Sequence, residues 1–257
     1  MKRILSIDWD YFFRIPPDDE DWEALYDWGG KENSLYIDGV IWLLRAASFY
    51  ELGRELPGTT SEELGFWDRF RFNPGCELVV VDSHADIIQH IDSQVAEVIS
   101  FDAHHDAYNP ADSVISNGFV TCENWASLAV ANDIKVSVRY PFWRAANPDA
   151  KPKEKGLRRQ IDTPKQCLRR PFDLVFVCRS GAWTPPWLDQ SFFAFIDACP
   201  VGRRKVSVLP RTIDMEEAKK MAEVTLDFYA AIKLHKQNKK LDTANHAVVP
   251  AEELRRV

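Results

Sequence analysis

The sequence predicts a three-layer α/β/α fold built on a mostly parallel central sheet. Short apolar runs that do not alternate with polar residues recur along the chain, as strands buried on both faces do. Stretches with helical spacing separate these runs, so the order reads strand, helix, strand. Acidic residues and histidines gather where the runs end, which is the side on which parallel sheets place their ligands.

The elements follow in order. Residues 3–8 read as a strand through Ile4, Leu5 and Ile7. Pro16-Pro17-Asp18-Asp19-Glu20-Asp21 then reads as a surface loop. Ile37, Val40, Ile41, Leu43, Leu44, Ala47 and Tyr50 recur at helical intervals over 37–52. Leu78-Val79-Val80-Val81, between Glu77 and Asp82, is a buried strand. A helix over 85–96 and a strand over 97–101 come next, then a helix over 123–132 and a strand over 135–140. The stretch 144–170 is basic and carries Pro148, Pro152 and Pro164, so it reads as a long excursion. A strand over 173–178 ends in a loop with Trp183, Pro185 and Pro186. Residues 214–236 have the pattern of a long amphipathic helix, with Glu216 and Glu217 in its first turn, where the helix dipole favours acids. This order makes 1–240 a single catalytic α/β domain and leaves 241–257 as a charged C-terminal tail.

Composition narrows the function. The chain has 257 residues, 46% of them hydrophobic, enough to bury a sizeable core. A net charge of −7 argues against general nucleic-acid binding, which needs clustered Lys and Arg, and is compatible with a cationic substrate. The five cysteines (Cys76, Cys122, Cys167, Cys178, Cys199) are odd in number and lack CxxC spacing, as expected of reduced thiols. No apolar segment reads as a signal or a membrane span. The expectation is a cytoplasmic protein with neither a membrane nor a nucleic-acid partner.

Residues 100–106 read SFDAHHD, and Asp102, His104 and Asp106 occupy every second position. In extended backbone, alternate side chains share a face, so all three are expected on one spot where a strand runs out. Asp8 and Asp10 form a second such phrase after Ile4 and Leu5. Asp82-Ser83-His84-Ala85-Asp86 is a third, but helical spacing follows it, so His84 is expected at the site with Asp82 and Asp86 as caps or supports. Crowding Asp8, Asp10, Asp102 and Asp106 to ~5 Å costs on the order of 3 kcal/mol per pair at an effective dielectric near 20. Cations remove that cost, which points to a centre with more than one metal ion. Read singly, each acid could equally be a helix cap.

Asp102-Ala103-His104-His105-Asp106 resembles the DAHxD motif of arginases and other ureohydrolases. Ser6-Ile7-Asp8-Trp9-Asp10 resembles their SxDxD motif, and His84 resembles the single histidine one βα unit before DAHxD. Here SxDxD opens the chain instead of following DAHxD, so the order looks permuted. With Cys122-Glu123-Asn124-Trp125, this is most similar to a divergent branch that includes peptide arginases, which convert arginine to ornithine within ribosomally made precursor peptides. The resemblance implies an arginase/deacetylase-like fold and two Mn²⁺ ions on Asp8, Asp10, His84, Asp102, His104 and Asp106. It also implies hydrolysis of a guanidinium group, with a precursor peptide as partner.

The guanidinium needs a carboxylate not spent on metal, and the strand over 173–178 ends in Cys178-Arg179-Ser180 without one. Glu123 is the leading candidate for substrate binding and catalysis, although it also fits as an ordinary acid at the head of a helix. Asp86 is second. Asn117-Gly118 reads either as a loop meeting the substrate backbone or as a common turn. Asp106 and His105 are expected to take part in catalysis, with His105 carrying protons. Two alternatives stay open: a deacetylase of the same fold using a single metal, and a non-catalytic metal-binding protein.

Overall fold

A computed structural model of the chain describes residues 1–14, 40–60, 63–146, 148–163, 166–227 and 230. The acidic loop expected at 16–21, the start of the 37–52 helix and the tail at 241–257 lie outside the described residues. Two compact units result: residues 1–42 with 57–213, and residues 43–56 with the described residues from 214 onward. The sheet and all the expected metal ligands belong to the first.

Among the described residues its sheet has seven strands: β1 (Lys2–Asp8), β2 (Phe70–Val81), β3 (Val95–Phe101), β4 (Lys135–Tyr140), β5 (Arg158–Ile161), β6 (Leu168–Cys178) and β7 (Arg203–Val206). Their order is β5-β4-β3-β1-β6-β2-β7, and every pairing is parallel. With helices around it, the sheet is the expected three-layer fold. Helices of the first unit are α2 (Ala111–Asn117), α3 (Trp125–Ala131) and α4 (Asp189–Asp197). The second unit takes in α1 (Trp42–Glu51) from Leu43 onward and α5 over 215–227, where the Lys219 ammonium lies 5.8 Å from the Tyr50 ring centroid. Among the described residues, no helix is long and apolar enough to cross a membrane.

Side-chain alternation splits the core between the two faces of the sheet. Leu5, Ile7, Leu78, Val80, Val175 and Val177 face an aromatic layer that includes Trp9, Tyr11, Phe12, Phe66 and Phe195. Ile4, Val79, Val81 and Phe176 face the other layer, with Trp125 and Ala129 of α3. Register then sets the site. Asp8 pairs with Cys178, Val81 with the same Cys178, and Ile7 with Phe101. Four strands therefore end on one level, and the residues that follow them meet.

Several expectations need correction. Residues 85–96 are not a helix: a seven-residue 3-10 turn, His84–His90, is followed by β3 from Val95. Isoleucines at 87, 88 and 91 favour helix weakly, and Asp92, accepting the Gln94 N–H at 2.8 Å, turns the chain into the strand. The excursion at 144–170 contains β5, whose four residues are all exposed and carry no apolar signal beyond Ile161. Strand β2 begins at Phe70 rather than near Glu77; Pro74 and Gly75, with Gly75 at φ 84, mark an irregularity in its pairing with β6. Helices α2 and α4 and strand β7 were not expected.

Candidate metal centre

Each carboxylate at the strand ends is oriented by the backbone around it. Asp8 closes β1 and caps a 3-10 turn: its Oδ1 accepts the Asp10 N–H at 3.1 Å, leaving Oδ2 directed inward. Asp10 accepts the Ala103 N–H on Oδ1 at 3.1 Å and meets His104 Nδ1 with Oδ2 at 2.7 Å. Asp102 accepts the His104 N–H on Oδ1 at 2.7 Å. Asp106 Oδ2 accepts the indole N–H of Trp125 at 2.6 Å.

These bonds overturn the expected extended geometry over 102–106. The chain bends after Phe101, and Asp106 adopts a left-handed conformation at φ 51. Its carbonyl is held by the Ala126 N–H at 3.0 Å, in the first turn of α3. His104 and Asp106 reach the centre through this bend and not through strand alternation.

The inner half of the centre gathers on His84. Its Nδ1 lies 2.9 Å from Asp106 Oδ2, 3.1 Å from Asp102 Oδ2 and 3.3 Å from Asp8 Oδ2. None of the three oxygens meets the geometry of a hydrogen bond to Nδ1, which is fully buried. Nε2 lies 2.8 Å from the Ser6 hydroxyl. With its proton on Nε2 and donated to Ser6, the ring presents a lone pair to three carboxylate oxygens, an arrangement that a cation between them would stabilise. The outer half consists of Asp10, Asp102 and His104. Asp8, His84 and Asp102 on one side, and Asp10, Asp102 and His104 on the other, each offer ligand atoms within 4.8 Å of one another. Asp102 belongs to both groups, with Oδ2 towards His84 and Oδ1 3.9 Å from His104 Nδ1. Carboxylates and imidazoles without thiolates suit a hard or borderline divalent ion. The residues present therefore offer two groups, sharing Asp102, that could each hold such an ion.

The electrostatics agree. Burial, then the charge of Asp10, pushes the Asp8 carboxyl up to about 6. Burial and the neighbouring Asp106, Asp10 and Asp8 push Asp102 well above the usual carboxylate range. Burial opposes charge on both histidines, but it is outweighed: Asp106, Asp102 and Asp8 hold His84 well above its ordinary value, and Asp10 raises His104 to about 10. Asp10 is lowered despite its burial, chiefly by His104. Asp8, Asp10, Asp102 and the two imidazoles thus share too little solvent to ionise independently.

Access is one-sided. The His84 side chain is 0% exposed and is walled by Trp125 and Phe176, whereas His104 is 14% exposed beneath the half-buried Trp183, ring centroids 4.7 Å apart. Arg144 donates from Nε to the Ala103 carbonyl at 2.7 Å, and its charge helps to lower Asp10.

The structure brings the six expected ligands together and distributes the other candidates differently. Glu123 is exposed just before α3, and its carbonyl accepts the Tyr108 N–H. Asp86 lies on the 3-10 turn and accepts from Gln89. Asn117 is the exposed last residue of α2, with Gly118 as its left-handed cap. His105 is buried; its Nδ1 accepts the Ala107 N–H at 2.9 Å and its ring packs on Tyr108, with Asp149 3.9 Å from Nε2. Ser180 and Trp125 contribute to the centre without having been given roles from the sequence, and Arg144, read from the sequence as part of the basic excursion suited to an acidic leader, is instead buried against the Ala103 carbonyl. Trp125 had a visible signal in the phrase at 122–125; Ser180 and Arg144, on distant loops, had none. No family model, curated protein or solved structure matches the chain.

Proposed function

We propose that this protein is a manganese-dependent ureohydrolase that converts arginine to ornithine and urea, with arginine inside a precursor peptide as substrate. One observation carries the reading: Asp102 is shared between two ligand groups, and three buried carboxylate oxygens face the lone-pair side of His84. A mononuclear centre of the deacetylase kind would not need Asp10 and Asp106 as well. Asp8, His84, Asp102 and Asp106 would hold the inner ion, and Asp10, Asp102 and His104 the outer one. Two such ions, when bound, supply Lewis acidity and bring the pKa of a water towards neutrality.

The chain's own groups do the rest. Ser6 orients the His84 ring through Nε2, and Trp125 holds Asp106. Trp183 and His104 border the less buried side, where a planar cationic guanidinium would meet an aromatic face. The net reaction adds water across one guanidinium C–N bond, leaving a protonated amine on the side chain and releasing urea. The permuted order of the motifs and the phrase at 122–125, which resemble the peptide-arginase branch, support the peptide as substrate, and the basic residues Lys151, Lys153, Lys155, Arg158 and Arg159 suit an acidic leader segment. All five cysteines are free thiols, which supports a reducing, cytoplasmic setting.

The test is direct. Manganese-loaded protein should hold close to two ions per chain and shift an arginine-containing peptide by about −42 Da per converted residue, the mass change of guanidine hydrolysis at such a site. Hydrolysis of free arginine or agmatine with peptides untouched would refute the choice of substrate. One tightly held zinc with acetate release from acyl-lysine would favour the deacetylase. Bound metal without turnover of any of these would favour a non-catalytic protein.

A further inference from the structure

We propose that the loop at 179–184 is a positioning element for both halves of the metal centre, held in place by a buried arginine–aspartate–arginine clamp. The inference rests on the binuclear reading above. After β6 ends at Cys178, the chain stays tied to the residues ending β2: the Arg179 N–H donates to the Val81 carbonyl at 2.9 Å, and the Ser180 N–H to the Asp82 carbonyl at 3.1 Å. Ser180 then takes a left-handed conformation at φ 55, which a non-glycine residue adopts only when its surroundings impose it. The turn brings its buried hydroxyl to Asp8 Oδ2, donating at 2.9 Å to the same oxygen that faces His84. Three residues on, Trp183 covers His104. One short loop therefore touches the inner half through Asp8 and the outer half through His104.

The clamp explains how the loop is held. Asp189, buried in the first turn of α4, lies between two guanidinium groups. Arg179 Nη1 donates to its Oδ2 at 2.9 Å, and Arg211 Nε and Nη2 donate to its Oδ1 at 3.1 and 2.6 Å. Arg179 also reaches Asp82 Oδ1 at 2.6 Å and the Leu209 carbonyl at 2.6 Å, and Arg211 Nη1 reaches the Gly181 carbonyl at 2.9 Å. The Thr184 hydroxyl closes the loop on the Arg179 carbonyl at 2.6 Å. Stability alone would favour glycine at 180; a serine there spends its hydroxyl on Asp8.

That contrast gives the test. Ser180→Gly relaxes the backbone and removes the hydroxymethyl group, so thermal stability should hold or rise while calorimetric titration with Mn²⁺ shows affinity falling about 10-fold or more, the range seen when groups supporting a metal ligand are lost. The paramagnetic resonance spectrum of the loaded protein should change with it. Asp189→Asn, which weakens the clamp without touching a ligand, should move Mn²⁺ affinity in the same direction. A folded Ser180→Gly protein that binds Mn²⁺ with unchanged affinity and spectrum would overturn the positioning role and leave the binuclear reading standing. Failure of the unaltered full chain to bind Mn²⁺ would overturn both.

Discussion

Loading the centre with Mn²⁺ should expel protons at pH 7, one from His104 and further ones from His84 and Asp102, because both imidazoles must be neutral and the shared carboxylate ionised to ligate. His104 is raised to about 10, so in EDTA-treated protein its ring is cationic at neutral pH, and His84 and Asp102 are both shifted towards their protonated forms. Asp8, raised only to about 6, is by then mostly ionised. Deprotonating His104 three pH units below its pKa costs about 4 kcal/mol, and each unit of added pH returns about 1.4 kcal/mol per proton. The logarithm of Mn²⁺ affinity should therefore climb with a slope of at least one from about pH 7 to 9. Calorimetry in two buffers of unlike ionisation heat measures the released protons directly. Without metal, the sign of the stability effect is opposite. A raised histidine pKa stabilises the fold fully below about 6.5, and that stability is lost as pH rises through the folded value, about 10 for His104. The raised Asp8 acts in the same direction between 3.8 and about 6. EDTA-treated protein should thus lose thermal stability from pH 7 to 10. Proton release near zero, or Mn²⁺ affinity independent of pH, would refute the reasoning.

Two substitutions separate the centre from the scaffold. Asp102→Ala removes the ligand common to both groups and should leave fewer than one ion per chain by elemental analysis; retention of both ions would rule out a shared ligand. Asp162→Ala strips the buried carboxylate that accepts from Arg69, Arg139 and Tyr11, and an uncompensated buried guanidinium should cost about 3–5 kcal/mol in urea unfolding while Mn²⁺ stoichiometry holds.

The sequence revealed those parts of the fold whose physics is local. The run 78–81 is apolar on both faces because β2 is covered on both, and that shows in the residues themselves. Strands β5 and β7 lie at the sheet edges, all their residues exposed, so their composition is that of a loop. The convergence of the six expected ligands was legible because strand ends in parallel sheets share a level, a rule that needs no knowledge of the intervening chain. How 102–106 bends was not legible, since it depends on Asp10 and α3, and the role of Ser180 depends on a contact across 172 positions of sequence.

The central place of β1 has a kinetic consequence. Its neighbours are β3 and β6, so the strand that brings Asp8 and Asp10 is made before either partner. At synthesis rates of roughly 5–20 residues per second, Ser180 follows Asp8 by roughly 9–34 s. Through that interval Ile4, Leu5 and Ile7 have no finished sheet to enter, and parallel pairing over such separations is slow once it becomes possible. Metal capture by the nascent chain would find Asp8, Asp10 and the residues at 102–106 at the ends of β1 and β3 but lack His84, whose strand β2 reaches β1 only through β6. The complete centre closes only after β6 has emerged and threaded beside β1, which makes this late strand insertion the step at which chaperones and manganese supply would bear on yield.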